Sequence, residues 1–150
     1  MNLQHLFDYH VDLRGPTDVG AGPLGRREIF DVAGGTFQGN EMKGTLLSSG
    51  GDWTLVGSDG ATRLDVRATL RTDDGALVFI QYHGIMVLDD RARATLAARG
   101  SLDYGAIYFM AQPRFETGDP RYAWLNATAA VAEGRLGPGW VEYRVYRLVH

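Results

Sequence analysis

Arg63-Leu-Asp-Val-Arg-Ala-Thr-Leu-Arg-Thr-Asp-Asp-Gly-Ala-Leu-Val-Phe-Ile-Gln-Tyr-His83 is the stretch that decides the fold. In its first half Leu64, Val66, Ala68 and Leu70 alternate with Arg63, Asp65, Arg67, Thr69 and Arg71. This two-residue period sends side chains to opposite faces of a strand. Thr72-Asp73-Asp74-Gly75 then supplies the Asp-Gly chemistry of a tight turn, where glycine takes up a positive φ at no steric cost. Ala76 to Leu88 continues as a second strand. A connection this short joins only antiparallel neighbours.

The same reading extends in both directions. Leu3, Phe7, Tyr9, Val11 and Leu13 alternate with Gln4, Asp8, His10 and Asp12, which predicts a first strand over residues 2–13 with one apolar face. Residues 14–26, rich in glycine and proline, are expected to form a long irregular loop. Further strands are expected over 28–32, 44–47, 52–56, 106–114, 127–133 and 140–149, with a second Asp-Gly turn at Ser58-Asp59-Gly60. Asp89 to about Arg99 is the one helical stretch, with Asp89 or Asp90 at its N-terminus and Gly100 ending it. Eight or nine short strands in a meander, with one helix near residues 89–99, predict a mainly β fold. Closing such strands into a single antiparallel β-barrel removes exposed edges, and residues 1–150 read as one domain.

Composition narrows the function. A formal net charge of −3 without any basic run argues against nucleic-acid binding, which depends on clustered cations. Lys43 is the only lysine among the 15 basic residues, so the cationic chemistry is that of arginine. The chain has no cysteine, which removes disulfides, thiolate metal sites and a cysteine nucleophile. No signal-peptide core or membrane span is seen, and a cytoplasmic protein with no membrane partner is expected.

The chemical candidates are few. Gly34-Gly35 and Gly50-Gly51 fit no phosphate-binding pattern, and no serine sits in a G-x-S-x-G elbow. The spacing of His5, His10, His83 and His150 specifies no metal triad. Carboxylates, tyrosines and arginines remain: Asp52, Asp65 and Glu116 as bases, Tyr82 and Tyr108 as donors, Arg67 and Arg71 to hold an anion. The segment Tyr108 to Asn126 adds Phe115 and Trp124 to these polar groups, a mixture that suits either a small-molecule pocket or an anchored loop. The charged face of Arg63 to Arg71 is either a solvated ladder of ion pairs or a polar lumen.

Taken in order, Gly34-Gly-Thr-Phe-Gln-Gly, Gly50-Gly-Asp-Trp, Leu64-Asp-Val-Arg, Leu70-Arg-Thr-Asp-Asp-Gly-Ala-Leu, Tyr108-Phe and Pro113-Arg-Phe-Glu-Thr-Gly-Asp-Pro-Arg-Tyr-Ala-Trp-Leu-Asn resemble the domain-of-unknown-function 3237 family. The resemblance implies a small antiparallel barrel of lipocalin-like or calycin-like form, found in bacteria and fungi, in a setting of aromatic metabolism. It matches Asp52, Trp53, Asp65, Arg67, Arg71, Glu116, Trp124 and Asn126, and it turns the charged ladder towards the lumen.

The function expected is a cofactor-free enzyme of acid–base type, with no metal, acting by addition or elimination, cyclisation or isomerisation on an apolar, aromatic or phenolic molecule in the barrel. Asp52, Asp65, Glu116, Arg67 and Tyr82 are its catalytic candidates. Trp53, Arg71, Tyr108, Phe115, Trp124 and Asn126 are its substrate contacts. The alternative is a non-catalytic small-molecule binding or carrier protein. Homo-oligomers are open to either, through pairing of edge strands.

Overall fold

Alternation is what a closed sheet requires, because one face of each strand must fill the interior while the other meets water. The computed structural model describes residues 1–150. It contains nine strands: β1 (Asn2–Gly22), β2 (Gly25–Gln38), β3 (Lys43–Leu46), β4 (Gly51–Val56), β5 (Thr62–Thr72), β6 (Leu77–Val87), β7 (Tyr108–Glu116), β8 (Ala130–Gly137) and β9 (Trp140–Val149). They form one antiparallel sheet in the order β1-β9-β8-β7-β6-β5-β3-β2-β4. Additional pairings of β1 with β2 and of β5 with β4 bring the ends together, so the pairings run in a ring and the sheet is barrel-like. The mainly β, antiparallel fold read from the sequence is the fold found.

Two short strands share one place in the ring. β5 pairs with β3 through Gly44↔Thr72 to Leu46↔Leu70, then with β4 through Gly51↔Arg67 to Val56↔Thr62. On the other side β2 makes the same change of partner, pairing with β4 over Arg26–Asp31 and with β3 over Gly35–Gln38. The bend falls at Gly34-Gly35. Gly35 has φ 149°, and a Cβ there would collide with the backbone carbonyl of His10 on β1. The glycine pair therefore serves close approach of strands.

The interior is apolar and aromatic. Phe7, Tyr9 and Val11 of β1, Leu64, Val66, Ala68 and Leu70 of β5, Val78, Ile80 and Tyr82 of β6, and Val141, Tyr143 and Val145 of β9 belong to one buried cluster. Phe7 meets Phe37 and Phe115 edge to face at 5.5 and 6.0 Å, the arrangement ring quadrupoles favour.

Two expectations about the first strand are corrected. Residues 14–26 are a strand hairpin: β1 continues to Gly22, β2 starts at Gly25 after the turn Pro23-Leu24, and register shifts between Arg14/Thr17 and Asp18/Gly20 take up Gly15, Pro16 and Val19 as bulges. Leu3 does not share the buried face of Phe7 and Tyr9. A bulge between His5 and Phe7 inserts Leu6 and reverses the phase, so Leu3 is exposed while Phe7 is buried.

Helix α1 (Asp90–Ala97) begins where expected, with Asp89 accepting the Ala92 N–H at 2.7 Å. Its end is closed by Arg99 at φ 59° and by the Gly100 N–H, which donates to the Thr95 carbonyl at 2.8 Å. No helix is long and apolar enough to cross a membrane.

The bend at Gly34-Gly35 gives a stability test. Gly35→Ala combines strained φ with a backbone clash and is expected to cost about 2 kcal/mol or more. Gly75→Ala, at φ 90° with open space around the new Cβ, is expected to cost about half as much, from φ alone. Urea midpoints of the two variants read the difference.

Candidate functional site

Asp52 is the only charged residue among the buried side chains. It sits on β4 between Phe30 of β2 and Val66 of β5. The Asp65 backbone N–H donates to its Oδ1 at 3.1 Å. Burial raises its pKa to about 7, and the nearby Asp65 charge pushes the same way, against the lowering effect of that hydrogen bond.

Tyr82 and Tyr143 lie close enough to feel the Asp52 charge, and Tyr9 packs against both. Tyr82 and Tyr143 have ring centroids 5.2 Å apart, and Tyr9 lies 5.8 Å from Tyr143 and 6.3 Å from Tyr82. Burial pushes all three phenols above their ordinary pKa, and the Asp52 charge adds to the shift of Tyr82 and Tyr143. They are therefore neutral O–H donors at physiological pH. The Tyr9 hydroxyl is buried with only the Tyr82 hydroxyl to ease its burial and no well-formed hydrogen bond, which leaves it able to donate to a ligand oxygen.

Of the candidates named from sequence, only Asp52 and Tyr82 come together in this way. The charged ladder faces outward: Arg63, Arg67 and Arg71 are exposed, while Leu64, Val66, Ala68 and Leu70 fill the interior. This reverses the inward orientation expected for it. Closure explains the reversal, since the inner face must carry the apolar set. Asp65 and Arg67 are 3.8 Å apart on the outside, and the Arg67 guanidinium lies 5.5 Å from the centre of the half-buried Trp53 ring. Glu116 and Tyr108 are exposed positions of β7, whereas Phe115 between them in phase is core.

The segment after β7 is an anchor. Pro120–Ala127 forms a 3-10 helix with Asp119 accepting the Arg121 N–H at 2.9 Å and Leu125 fully buried. Asn126 exchanges two hydrogen bonds with the Thr117 backbone, at 2.8 and 2.9 Å. Trp124 packs on the core and carries Arg147 over its ring at 5.2 Å.

Sequence reasoning missed Tyr9 and Tyr143. Both occupy the apolar phase of their strands, alternating with Asp8 and His10, and with Glu142 and Arg144. A hydroxyl in an otherwise aliphatic and phenylalanine-lined phase was the available signal.

A barrel-like antiparallel sheet holding one buried carboxylate among tyrosines defines the class of protein. The chain belongs to the family described as "Protein of unknown function (DUF3237)", which matches residues 1–148. It is 32% identical over 126 residues to a UPF0311 protein of Clostridium acetobutylicum, covering 83% of this chain and 80% of that protein. A beta-barrel like protein from Acinetobacter baumannii AYE shares 35% identity and superposes with a TM-score of 0.84, covering 99% of this chain and 96% of that one. A structure described as an enzyme from Penicillium herquei has the same fold at 20% identity, with a TM-score of 0.71 over 98% of this chain and 94% of that one.

The raised Asp52 pKa makes stability depend on pH with a definite sign. The folded state holds a proton that the unfolded carboxyl has released, between the ordinary value of 3.8 and about 7. Its contribution is therefore complete below pH 3.8 and lost as pH rises through about 7. Asp52→Asn is expected to lose this slope and to be more stable than the parent at pH 8, by an amount on the order of a few kcal/mol. Denaturation curves of both proteins across that range test it.

Proposed function

We propose that the chain is a cofactor-free enzyme of acid–base type, acting on an apolar, aromatic or phenolic small molecule bound within the barrel-like sheet. The observation that carries this reading is Asp52, a buried carboxylate whose pKa is held at about 7 beside neutral tyrosine donors. A base works best when its pKa lies near the working pH, since it is then both ionised and basic. Asp52 is buried but keeps 7% of its surface accessible to solvent.

In this reading the Asp52 carboxylate takes a proton from a phenol or an acidic C–H. The negative charge developing on the substrate oxygen is met by tyrosine O–H groups, with Tyr9 supplying a hydroxyl that makes no well-formed hydrogen bond of its own. Asp52, now neutral, returns the proton at another position of the same molecule. The cycle leaves no net change in protons, which suits isomerisation, cyclisation or addition within one substrate. Arginine takes no part on the inner wall; the role expected of Arg67 and Arg71 passes to Tyr82 and Tyr143. The fold neighbour described as an enzyme supports a catalytic use of this architecture.

Solvent deuterium incorporation tests the proposal whatever the product. A panel of phenolic enones and aromatic ketones is incubated with the protein in D2O and followed by NMR. Incorporation is expected to accelerate as pH rises through about 7, because the ionised carboxylate is the active form. Asp52→Asn is expected to slow it by about 100-fold or more, with Glu116→Gln close to the parent. A panel member that binds with no exchange and no pH dependence would instead identify a carrier.

A further inference from the structure

The outer wall carries a groove of about 860 Å³ across β5, β6, β7 and β8, on the opposite side of the sheet from Asp52. Its floor is the row Leu64, Gly84, Ala111 and Ala132, four inward-pointing positions in register on adjacent strands. One bank is the neighbouring row Arg63–Ile85–Met110–Glu133, also in continuous register. The bulge at Leu6 completes the groove at its far end by turning Leu3 outward, beside Tyr146.

Five of the nine exposed large hydrophobic residues lie on or beside this wall. Leu3, Ile85, Val87, Tyr108 and Met110 are between 43% and 59% exposed. Val87 pairs directly with Tyr108, and Ile85 with Met110, so four of the five stand side by side. Clustered exposed apolar groups on a sheet face mark an interaction surface.

The charges along the bank are arranged as a self-complement. Arg63 stands at one end of Ile85 and Met110, and Glu133 at the other. Rotating a second copy by a half turn lays its bank antiparallel to the first, placing Arg63 against Glu133 at both ends and Ile85 against Met110 in the middle. Each apolar bank then fills the other copy's groove. Both charged groups keep capacity for this: Arg63 binds Asp59 through its two terminal nitrogens, at 3.1 and 2.7 Å, leaving Nε free, and Glu133 has one contact, with Arg144 at 3.5 Å.

We propose that this face is the interface of a two-fold homodimer, its occupant a second copy of the same chain. An isologous contact requires a surface complementary to itself, and the row from Arg63 to Glu133 meets that requirement in both charge and apolarity. The edge-strand route is poorer, because the ring leaves few free edges and the Leu102 bridge to Leu136 covers the end of β8.

Sedimentation velocity across the micromolar range tests the proposal. The parent protein is expected to be a dimer, and Met110→Asp or Tyr108→Glu a monomer; both positions lie on the surface, and circular dichroism verifies that each variant is folded. Arg63→Glu and Glu133→Arg are each expected to weaken the dimer about tenfold or more. The double variant Arg63→Glu with Glu133→Arg restores opposite charges across the axis and is expected to recover most of the loss. A monomeric parent protein, a dimer indifferent to both apolar substitutions, or a double variant no better than the singles overturns the proposal.

Discussion

Because β1 hydrogen-bonds to β2 on one side and β9 on the other, the sheet has a single enclosed face, and every strand must contribute to filling it. Such a space accepts rings and branched aliphatics readily and charge with difficulty, since a buried carboxylate loses its hydration. That is why the arginine-bearing phase of β5 lies outside, where its ion pairs are screened and individually worth about 0–1 kcal/mol. It is also why the one carboxylate that does enter, Asp52, has an altered affinity for protons. The candidate chemistry is thus a by-product of closure: the same wall that excludes the other charges changes the one it admits.

The fold was legible where local chemistry and global topology agree. The β5–β6 hairpin could be read from alternation plus Thr72-Asp-Asp-Gly75, both of which act over a few residues. Residues 14–26 could not, because glycine and proline content does not distinguish a loop from a bulged ribbon; what settles it is pairing with β2, which no local pattern states. The site shows the same division. Alternation states that Arg67 and Val66 face opposite ways but not which way is in, and only the demand to fill a closed interior decides it. Asp52 was recognisable as chemistry-bearing, whereas Tyr9 and Tyr143 were masked by the apolar company they keep. A single inserted residue, Leu6, was enough to turn Leu3 from an expected core position into part of the outer wall.

Inner site and outer groove share a wall. Tyr82 faces the carboxylate and its neighbour His83 lines the groove, so successive residues of β6 belong to different surfaces. Contact at the groove is separated from the inner cluster by the thickness of one sheet. Any ligand that altered the curvature of β5 and β6 would alter the shape of both.

β7 and β8 are joined by only two residue pairs, Met110↔Glu133 and Ala111↔Ala132, whereas β6 and β7 are joined by nine. The ring therefore has one weak seam. The fewest hydrogen-bonded pairs hold the sheet there, so local opening costs least at that seam. Because Met110, Ala111, Ala132 and Glu133 also line the groove, a second chain lying across it would act as a clasp, bracing from outside the seam that has the fewest bonds of its own.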